Sequence, residues 1–309
     1  MRFKSMVEFS QKIFESELFQ KLNACNVTPD QPMLLRGISG SLWAFAAVAL
    51  FRQANGQVLV VVDDKDRAEK LRDDCISIIG DANVRLCIVE PHHVSQSMDM
   101  SSPLSQIETL KALQANTPAI YITHATALAF GVPDQKEFSH SIIELSAQTE
   151  HPFEQLLQKL SEYGFERKQF VETYGDIAVR GGILDVFPFI GEYPIRVEFW
   201  GDTIESIREF DVLSQRSIRE LQSVSIIPDV FKKTIPENET EEPQKKKVSL
   251  LSYFASSATL LLEDSSLLKK EFDEFDSEGV QTDFLFDDVK NESEKFSRFS
   301  HSLLQHADV

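Results

Sequence analysis

The sequence has few cysteines and little positive charge. Its three cysteines, Cys25, Cys75 and Cys87, form no CxxC pair, and 31 Lys and Arg stand against 49 Asp and Glu, a net charge of −18. Free thiols in a reducing compartment are therefore expected. Because a nucleic-acid footprint is basic, direct DNA binding by this chain is not expected.

Long apolar runs and metal-ligand clusters are missing as well. No run approaches the roughly 18 apolar residues of a membrane span, so a cytoplasmic protein without a membrane partner is expected. Cys87 with His92 and His93 lacks further ligands, and so do His301 and His306, so no metal site is expected. The spacing of the last two histidines favours a frayed polar terminus. No nucleophile motif indicates a hydrolase, and no catalytic residue is predicted.

Apolar and aromatic side chains are abundant, since 42% of the residues are hydrophobic and 23 are Phe. This is enough apolar surface for one large or two ordinary globular domains. In the first half, short apolar runs at 34–35, 57–62, 84–89 and 119–123 alternate with helical patterns at 42–52, 65–79 and 104–114. The alternation predicts an α/β fold, a mostly parallel sheet covered by helices.

The pattern changes near residue 135. Helical spacing over 141–164 is followed by short alternating segments, each closed by Gly, Asp or Pro, at 169–176, 178–188, 195–202 and 203–211. This spacing predicts antiparallel hairpins, and therefore a separate small α+β domain inserted into the α/β fold.

The predicted organisation has four parts. Residues 1–139 are the first part of the α/β domain, 140–228 the inserted domain, and 229–247 a solvated linker rich in Glu, Pro and Lys. Residues 248–309 complete the α/β domain, with strands predicted at 248–254 and 258–262 and a helix at 266–275. The acidic stretch after Glu271 is either a solvated face or an interaction tail.

A turn between the first strand and the first long helix has part of a phosphate-binding loop. Such a loop needs GxxxxGK[ST], because small residues expose backbone N–H groups, the Lys supplies charge and the hydroxyl holds the metal. Gly37, Gly40 and Ser41 remain, but Trp43 stands at the Lys position and Ala44 at the hydroxyl position. The turn is either a degenerate phosphate loop of a RecA or helicase-like domain or a plain Gly-containing turn. No cofactor is expected there.

The most specific motifs lie in the predicted inserted domain. Residues 176–188, 193–202 and 204–211 read DIAVRGGILDVFP, YPIRVEFWGD and IESIREFD. They resemble the family of the damage-recognition helicase UvrB and the transcription-repair coupling factor, whose pattern is VRG-x-x-x-D-x-FP and then RVEFFGDE-x-E-x-I-x-x-FD. Every fixed element is present except the second Phe, here Trp200, and the Glu after Gly-Asp, here Thr203.

The altered phosphate loop favours the coupling-factor branch, because UvrB keeps its Gly-Lys-Thr and the amino-terminal coupling-factor module has lost it. The resemblance implies a nucleotide-excision-repair module that recruits the damage sensor UvrA to stalled RNA polymerase. It also implies that this fragment is no enzyme by itself, that ATP and Mg belong to a carboxy-terminal DNA translocase, and that the fragment contacts that carboxy-terminal half. Two alternatives are a UvrB-type ATP-dependent helicase fragment and a structural clamp that masks the fragment's own arginines and autoinhibits the motor.

The resemblance also implies which residues bind the partner. Arg180 is the VRG arginine and Arg167 resembles a second contact arginine; a guanidinium offers a bidentate donor to a carboxylate. Phe187 is either an apolar anchor or a core residue. Glu198 and Arg196 are either contact residues or the solvent face of a strand.

Overall fold

The computed structural model describes residues 6–25, 27–88, 101–228 and 247–302, and for residues 6, 7, 101–105 and 302 it describes only the backbone. The predicted linker apart from Lys247, the His92–His93 pair, His306 and the end of the strand predicted at 84–89 lie outside these residues. The chain divides into two compact units: Met1–Ser97, Thr109–Val132 and Lys247–Val309 form the first, and Met98–Glu108 and Pro133–Lys246 form the second.

The helices are α1 Met6–Phe14, α2 Glu17–Ala24, α3 Leu42–Ala54, α4 Lys65–Ile79, α5 Ser101–Gln114, α6 Ala125–Ala129, α7 Gln135–Ser141, α8 Phe153–Glu162, α9 Ser265–Ser277 and α10 Phe286–Ser293, with 3-10 turns at Asp81–Asn83 and Leu250–Tyr253. The strands are β1 Met33–Arg36, β2 Val58–Val62, β3 Val84–Leu86, β4 Ile120–His124, β5 Val132–Pro133, β6 Ile143–Ser146, β7 Glu166–Arg167, β8 Asp176–Arg180, β9 Ile183–Val186, β10 Ile195–Trp200, β11 Thr203–Phe210, β12 Ser217–Leu221, β13 Ser223–Ile226, β14 Lys247–Val248, β15 Thr259–Leu262 and β16 Ser297–Ser302.

The first unit is built on a six-stranded parallel sheet with the order β1-β16-β15-β2-β4-β3. All five residues of β2 are buried, as expected of a Val-rich strand covered on both faces. Residues 43–50 of α3 are buried too. The side chain of Asp64 caps α4 by accepting a hydrogen bond from the Arg67 amide.

The second unit is built on a six-stranded sheet with the order β12-β11-β10-β9-β8-β7. The strands from β8 to β12 pair antiparallel, whereas β7 runs parallel to β8. A two-residue turn joins β8 to β9, and Gly181 adopts a φ of 60° there. A Cβ on Gly182 would lie 2.6 Å from the Phe199 carbonyl oxygen, so β10 approaches this turn closely only because the residue is glycine.

The predicted fold class is confirmed at the level of an α/β chain with a parallel sheet and a separate antiparallel sheet. The long central helices and most strands were predicted. Among the described residues, no helix is long and apolar enough to cross a membrane.

Three local predictions were wrong. The helical pattern over 141–164 is interrupted by β6, whose Ile143 and Leu145 point inward at a period of two. Residues 169–175 form no strand, because the Asp176 carboxylate accepts the amides of Glu172 and Thr173 and closes a turn. The strand predicted at 248–254 ends after two residues, because the Ser249 hydroxyl caps the following 3-10 turn.

Candidate partner-binding site

One face of the antiparallel sheet carries most of the charged residues predicted to bind a partner. Residues directly opposite each other on paired strands share a face. The register places two neighbouring rows on it: Arg180, Ile183, Glu198 and Ser206, and then Ala178, Asp185, Arg196 and Arg208. We name this surface the charged face.

Asp185 is the centre of the charged face. Its carboxylate is buried, with 1% exposure, and accepts hydrogen bonds from two arginines. Arg196 donates from Nε to Oδ1 at 2.7 Å and from Nη2 to Oδ2 at 2.9 Å, and Arg180 Nη2 donates to Oδ2. Burying a carboxylate is costly unless it is paired and hydrogen-bonded, and both conditions are met here. Two guanidinium charges therefore share one carboxylate charge.

Arg180 remains available to a partner. It is the last residue of β8, and 42% of its side chain is exposed. Its guanidinium carbon lies 5.3 Å from the centroid of the Phe170 ring, which is itself 45% exposed. Because Asp185 and Phe170 hold it from two sides, the guanidinium is oriented before any partner arrives.

Arg196 is mostly buried and makes its contacts within the sheet. Only 17% of its side chain is exposed, its Nη2 also donates to Gln215 Oε1 at 3.0 Å, and its guanidinium carbon lies 4.3 Å from the Phe210 ring centroid. The hydrogen bond to Asp185 raises the pKa of Arg196. The Arg196 side chain thus connects β10 to β9, to β11 and to the loop that follows β11.

Glu198 is also satisfied within the sheet. Its Oε2 accepts hydrogen bonds from Ser206 Oγ and from Arg208 Nη2, both at 2.8 Å. About a third of each charged side chain is exposed, so the pair lies on the solvent side of β10 and β11.

Phe187 lies in the core, one of the two alternatives that the sequence left open. It is 7% exposed and packs in a cluster with Val171, Ala178 and Phe210. Its ring centroid is 4.4 Å from that of Tyr174. A partner cannot reach this ring without unpacking the cluster.

Arg167 is exposed but does not join the charged face. It lies in β7 and pairs with Ile177, one residue out of phase with Ala178 and Arg180. Because successive residues of a strand point to opposite faces, the register separates the two predicted contact arginines.

The sequence reasoning missed two residues of this site. Asp185 was visible as the fixed Asp of the VRG-x-x-x-D motif, but its role as the shared acceptor of Arg180 and Arg196 required the strand register. No sequence pattern indicated Phe170 as a site residue, because it lies in a stretch that was predicted to be a strand.

The altered phosphate loop lies in the first unit. Gly37 and Gly40 adopt φ values of 75° and 56°. Trp43 is 3% exposed and Ala44 is fully buried, and the Ser41 hydroxyl makes no capping hydrogen bond to α3. The Trp43 indole contacts the His301 imidazole, with centroids 5.1 Å apart, and the Arg67 guanidinium at 5.6 Å.

The prediction of a frayed terminus at His301 was wrong. His301 belongs to β16, is 3% exposed, and its Nδ1 lies 3.5 Å from Oε1 of the buried Glu263. Arg67 donates to the same Oε1 at 3.0 Å. Burial raises the pKa of Glu263 to about 7, with Arg67 opposing this shift, and burial lowers the pKa of His301.

The cysteines are free, and Cys75 and Cys87 are buried, which raises the pKa of each thiol to about 12. Within the described ranges, no three His, Cys, Asp or Glu side chains are grouped so that they could hold a metal ion.

Comparison with known protein families places the charged face in a recognised domain. The UvrB interaction domain family matches residues 143–230, which include all of the charged face. Over this stretch the chain is similar to UvrB interaction domains. The family resemblance seen in the VRG motif and its neighbours is therefore confirmed.

Curated relatives of the chain include transcription-repair-coupling factors. Those of Bacillus subtilis (strain 168) and Staphylococcus aureus (strains bovine RF122 / ET3-1 and Mu50 / ATCC 700699) are 30% identical to it. The alignments cover 63%, 69% and 69% of this chain and 17%, 18% and 18% of the relatives, so the match spans less than a fifth of their length. The chain thus shares with them a region of DNA-repair proteins.

Proposed function

We propose that this chain recruits UvrA to sites of DNA repair and that the charged face of the UvrB interaction domain is the docking surface. The single observation that carries the proposal is the geometry of Arg180, a half-exposed guanidinium fixed by a buried carboxylate. Because Arg180 and Arg196 share Asp185, the group keeps an excess positive charge. A carboxylate on the partner complements that charge and can accept the remaining N–H donors of Arg180.

The boundaries and contact residues of the recruiting domain are part of the same proposal. We take residues 140–228 as the domain and Arg180 as its principal contact. Glu198 contributes the acidic border of the surface, and Arg196 positions Arg180 through Asp185. Arg167 lies on the other side of the sheet and adds a contact only if the partner wraps around the edge strand β7.

We propose that the turn at 37–41 does not bind nucleotide. The two glycines keep the backbone conformation of a tight turn, but the Trp43 indole occupies the first turn of α3 and is packed inside the unit. No ammonium group is present at the position from which a Lys reaches the phosphates. The ATP-driven DNA translocase, the stalled RNA polymerase and any contact with a carboxy-terminal half belong to the whole coupling factor.

The test is a calorimetric titration of the folded chain with UvrA from the same organism. The wild type should bind, and Arg180→Ala should lose about 1.5–3 kcal/mol, roughly a tenfold to hundredfold loss of affinity. Arg219→Ala is the matched control, because Arg219 is an exposed arginine of the same sheet that pairs with Glu209 and not with Asp185. It should bind like the wild type.

Two results would contradict the proposal. Absence of binding by the folded wild type at micromolar concentration removes recruitment as the function of this chain and leaves the structural clamp as the leading alternative. Equal losses for the Arg180 and Arg219 variants would mean that binding depends on general charge and not on the charged face. For the turn, a thermal shift of the chain with ATP and magnesium would overturn the absence of nucleotide binding.

A further inference from the structure

Trp200 is the largest of the exposed apolar side chains in the described part of the second unit. It ends β10, and 77% of it is exposed, although tryptophan is usually well buried. Among the described residues, no aromatic ring and no cationic side chain packs against its indole. The other tryptophan of the chain, Trp43, is 3% exposed.

The register places Trp200 on the same face of the sheet as Arg180. Burial alternates along β10, with Ile195, Val197 and Phe199 inward, so Trp200 projects from the charged face like Glu198. Glu198 pairs with Ile183, which pairs with Arg180. Two strand spacings across and two residues along give a Cα separation of about 12 Å between Arg180 and Trp200.

The turn between β8 and β9 lies next to Trp200 and leaves open space. The Phe199 amide donates to the Gly182 carbonyl oxygen at 2.7 Å, so Trp200 follows the residue that touches the β8–β9 turn. A Cβ on Gly181 would meet no atom within 4 Å, so the space beside this turn is open. The surface therefore offers an exposed indole, a guanidinium fixed by Asp185 and the half-exposed Phe170 ring.

We propose that Trp200 is the apolar anchor of the docking surface and that its occupant is a protein surface with an apolar pocket flanked by a carboxylate. This inference rests on the proposed recruitment function and names the partner chemistry of that site. Three facts favour such an occupant: the shared Asp185 leaves positive charge for a carboxylate, the indole lies on the same face, and both groups are held by strands. Trp and Arg are enriched among the residues that contribute most of the binding energy of protein interfaces, and a guanidinium that is oriented before binding loses less entropy.

The experiment measures UvrA binding by three variants and follows the indole directly. Trp200→Ala should weaken binding roughly tenfold or more, because a buried interface Trp is typically a dominant contact. Trp200→Phe, which restores the aromatic residue of the family pattern, should recover most of the affinity. Leu213→Ala is the matched control, since Leu213 is 94% exposed in the same unit and lies outside the charged face; it should bind like the wild type.

Fluorine NMR of the chain labelled with 5-fluorotryptophan reports the burial of the indole. The chain has two tryptophans, so two resonances are expected, and the one lost in Trp200→Phe belongs to Trp200. Unlabelled UvrA should shift or broaden this resonance and leave that of Trp43 in place. The same label distinguishes partner binding from self-association, because a concentration-dependent shift without UvrA would assign the indole to a second copy of the chain and overturn the proposal.

The remaining outcomes separate this inference from the function on which it rests. If the wild type binds, Arg180→Ala binds weakly and Trp200→Ala binds normally with no change of the Trp200 resonance, the anchor is refuted and recruitment stands. If the folded wild type does not bind UvrA at all, recruitment is refuted and the anchor with it.

Discussion

Asp185 and Arg196 form a bidentate ion pair across β9 and β10, with both carboxylate oxygens accepting from one guanidinium at 2.7 and 2.9 Å. The pair is buried on the carboxylate side, where Asp185 is 1% exposed. Because Arg180 donates to the same carboxylate, the pair couples the interior of the sheet to its exposed arginine. The Asp185 side chain therefore links the packing of the sheet to the orientation of Arg180.

We predict that Asp185→Asn destabilises the second unit by about 3 kcal/mol, because removing one partner of a buried ion pair leaves the other charge uncompensated. It should also weaken UvrA binding, since Arg180 loses the group that orients it. Hydrogen exchange of peptides covering β8 to β10 measures the first effect and calorimetry the second. The control Glu209→Gln breaks the pair with Arg219, whose side chain is 66% exposed and keeps contact with water, and should have a smaller effect. Equal protection in Asp185→Asn and the wild type would disprove the coupling.

We predict that replacing the two tryptophans has unequal effects on stability. Trp43→Ala should lower the free energy of unfolding by about 3–5 kcal/mol, because it leaves a cavity in the first unit. Trp200→Ala should change it by no more than about 0.5 kcal/mol, because its side chain is exposed. Urea unfolding followed by circular dichroism compares them. A neutral Trp43→Ala would mean that the indole adds little to the packing of the first unit.

Replacing Phe187 should lower stability, whereas replacing Phe170 should weaken UvrA binding. Phe187→Ala removes a ring from the cluster with Val171 and Phe210, and we expect a loss of about 3–5 kcal/mol of stability with the affinity of the folded fraction retained. Phe170→Ala removes the half-exposed ring beside Arg180 and should weaken UvrA binding with little loss of stability. Calorimetry at a temperature where both variants are folded distinguishes them. Weakened binding by folded Phe187→Ala would return this residue to the contact set.

The parallel sheet was predictable where strands are buried on both faces. A Val-rich run such as β2 is typical of a parallel strand that is covered on both faces. The polar strand β16, with the sequence SRFSHS, had no such signal, because its strand state comes from pairing with β1 and β15, two segments distant along the chain. Strand formation depends on such context more than helix formation does.

The candidate site was predictable in part for a related reason. Arg180 and Asp185 lie in one motif, so their proximity follows from a short hairpin. The contact between Asp185 and Arg196 depends on the register of the next hairpin, and the separation of Arg167 from Arg180 depends on the phase of β7 against β8. A one-residue slip would reverse each assignment, and the register depends on turn geometry and on burial against other strands, which the pattern of a single strand does not reveal.

Burial raises the pKa of Glu263 to about 7, against an ordinary value of 4.5. Between these two values the folded state binds more protons than the unfolded state, so this residue makes the free energy of unfolding fall as the pH rises. The facing groups are Arg67, which lowers the pKa, Asp63 and Asp264, which raise it, and the His301 imidazole.

Glu263→Gln isolates this contribution, because glutamine imitates the protonated carboxyl and does not titrate. His301 gives the opposite slope, since its lowered pKa removes stability as the pH falls below its ordinary value of 6.5, but it remains in both proteins. The difference in unfolding free energy, wild type minus variant, should therefore fall from pH 4.5 to 7 and level off above. Urea unfolding of both proteins across this range measures it. A difference that rises with pH would mean that the ion pair with Arg67 outweighs the cost of burial.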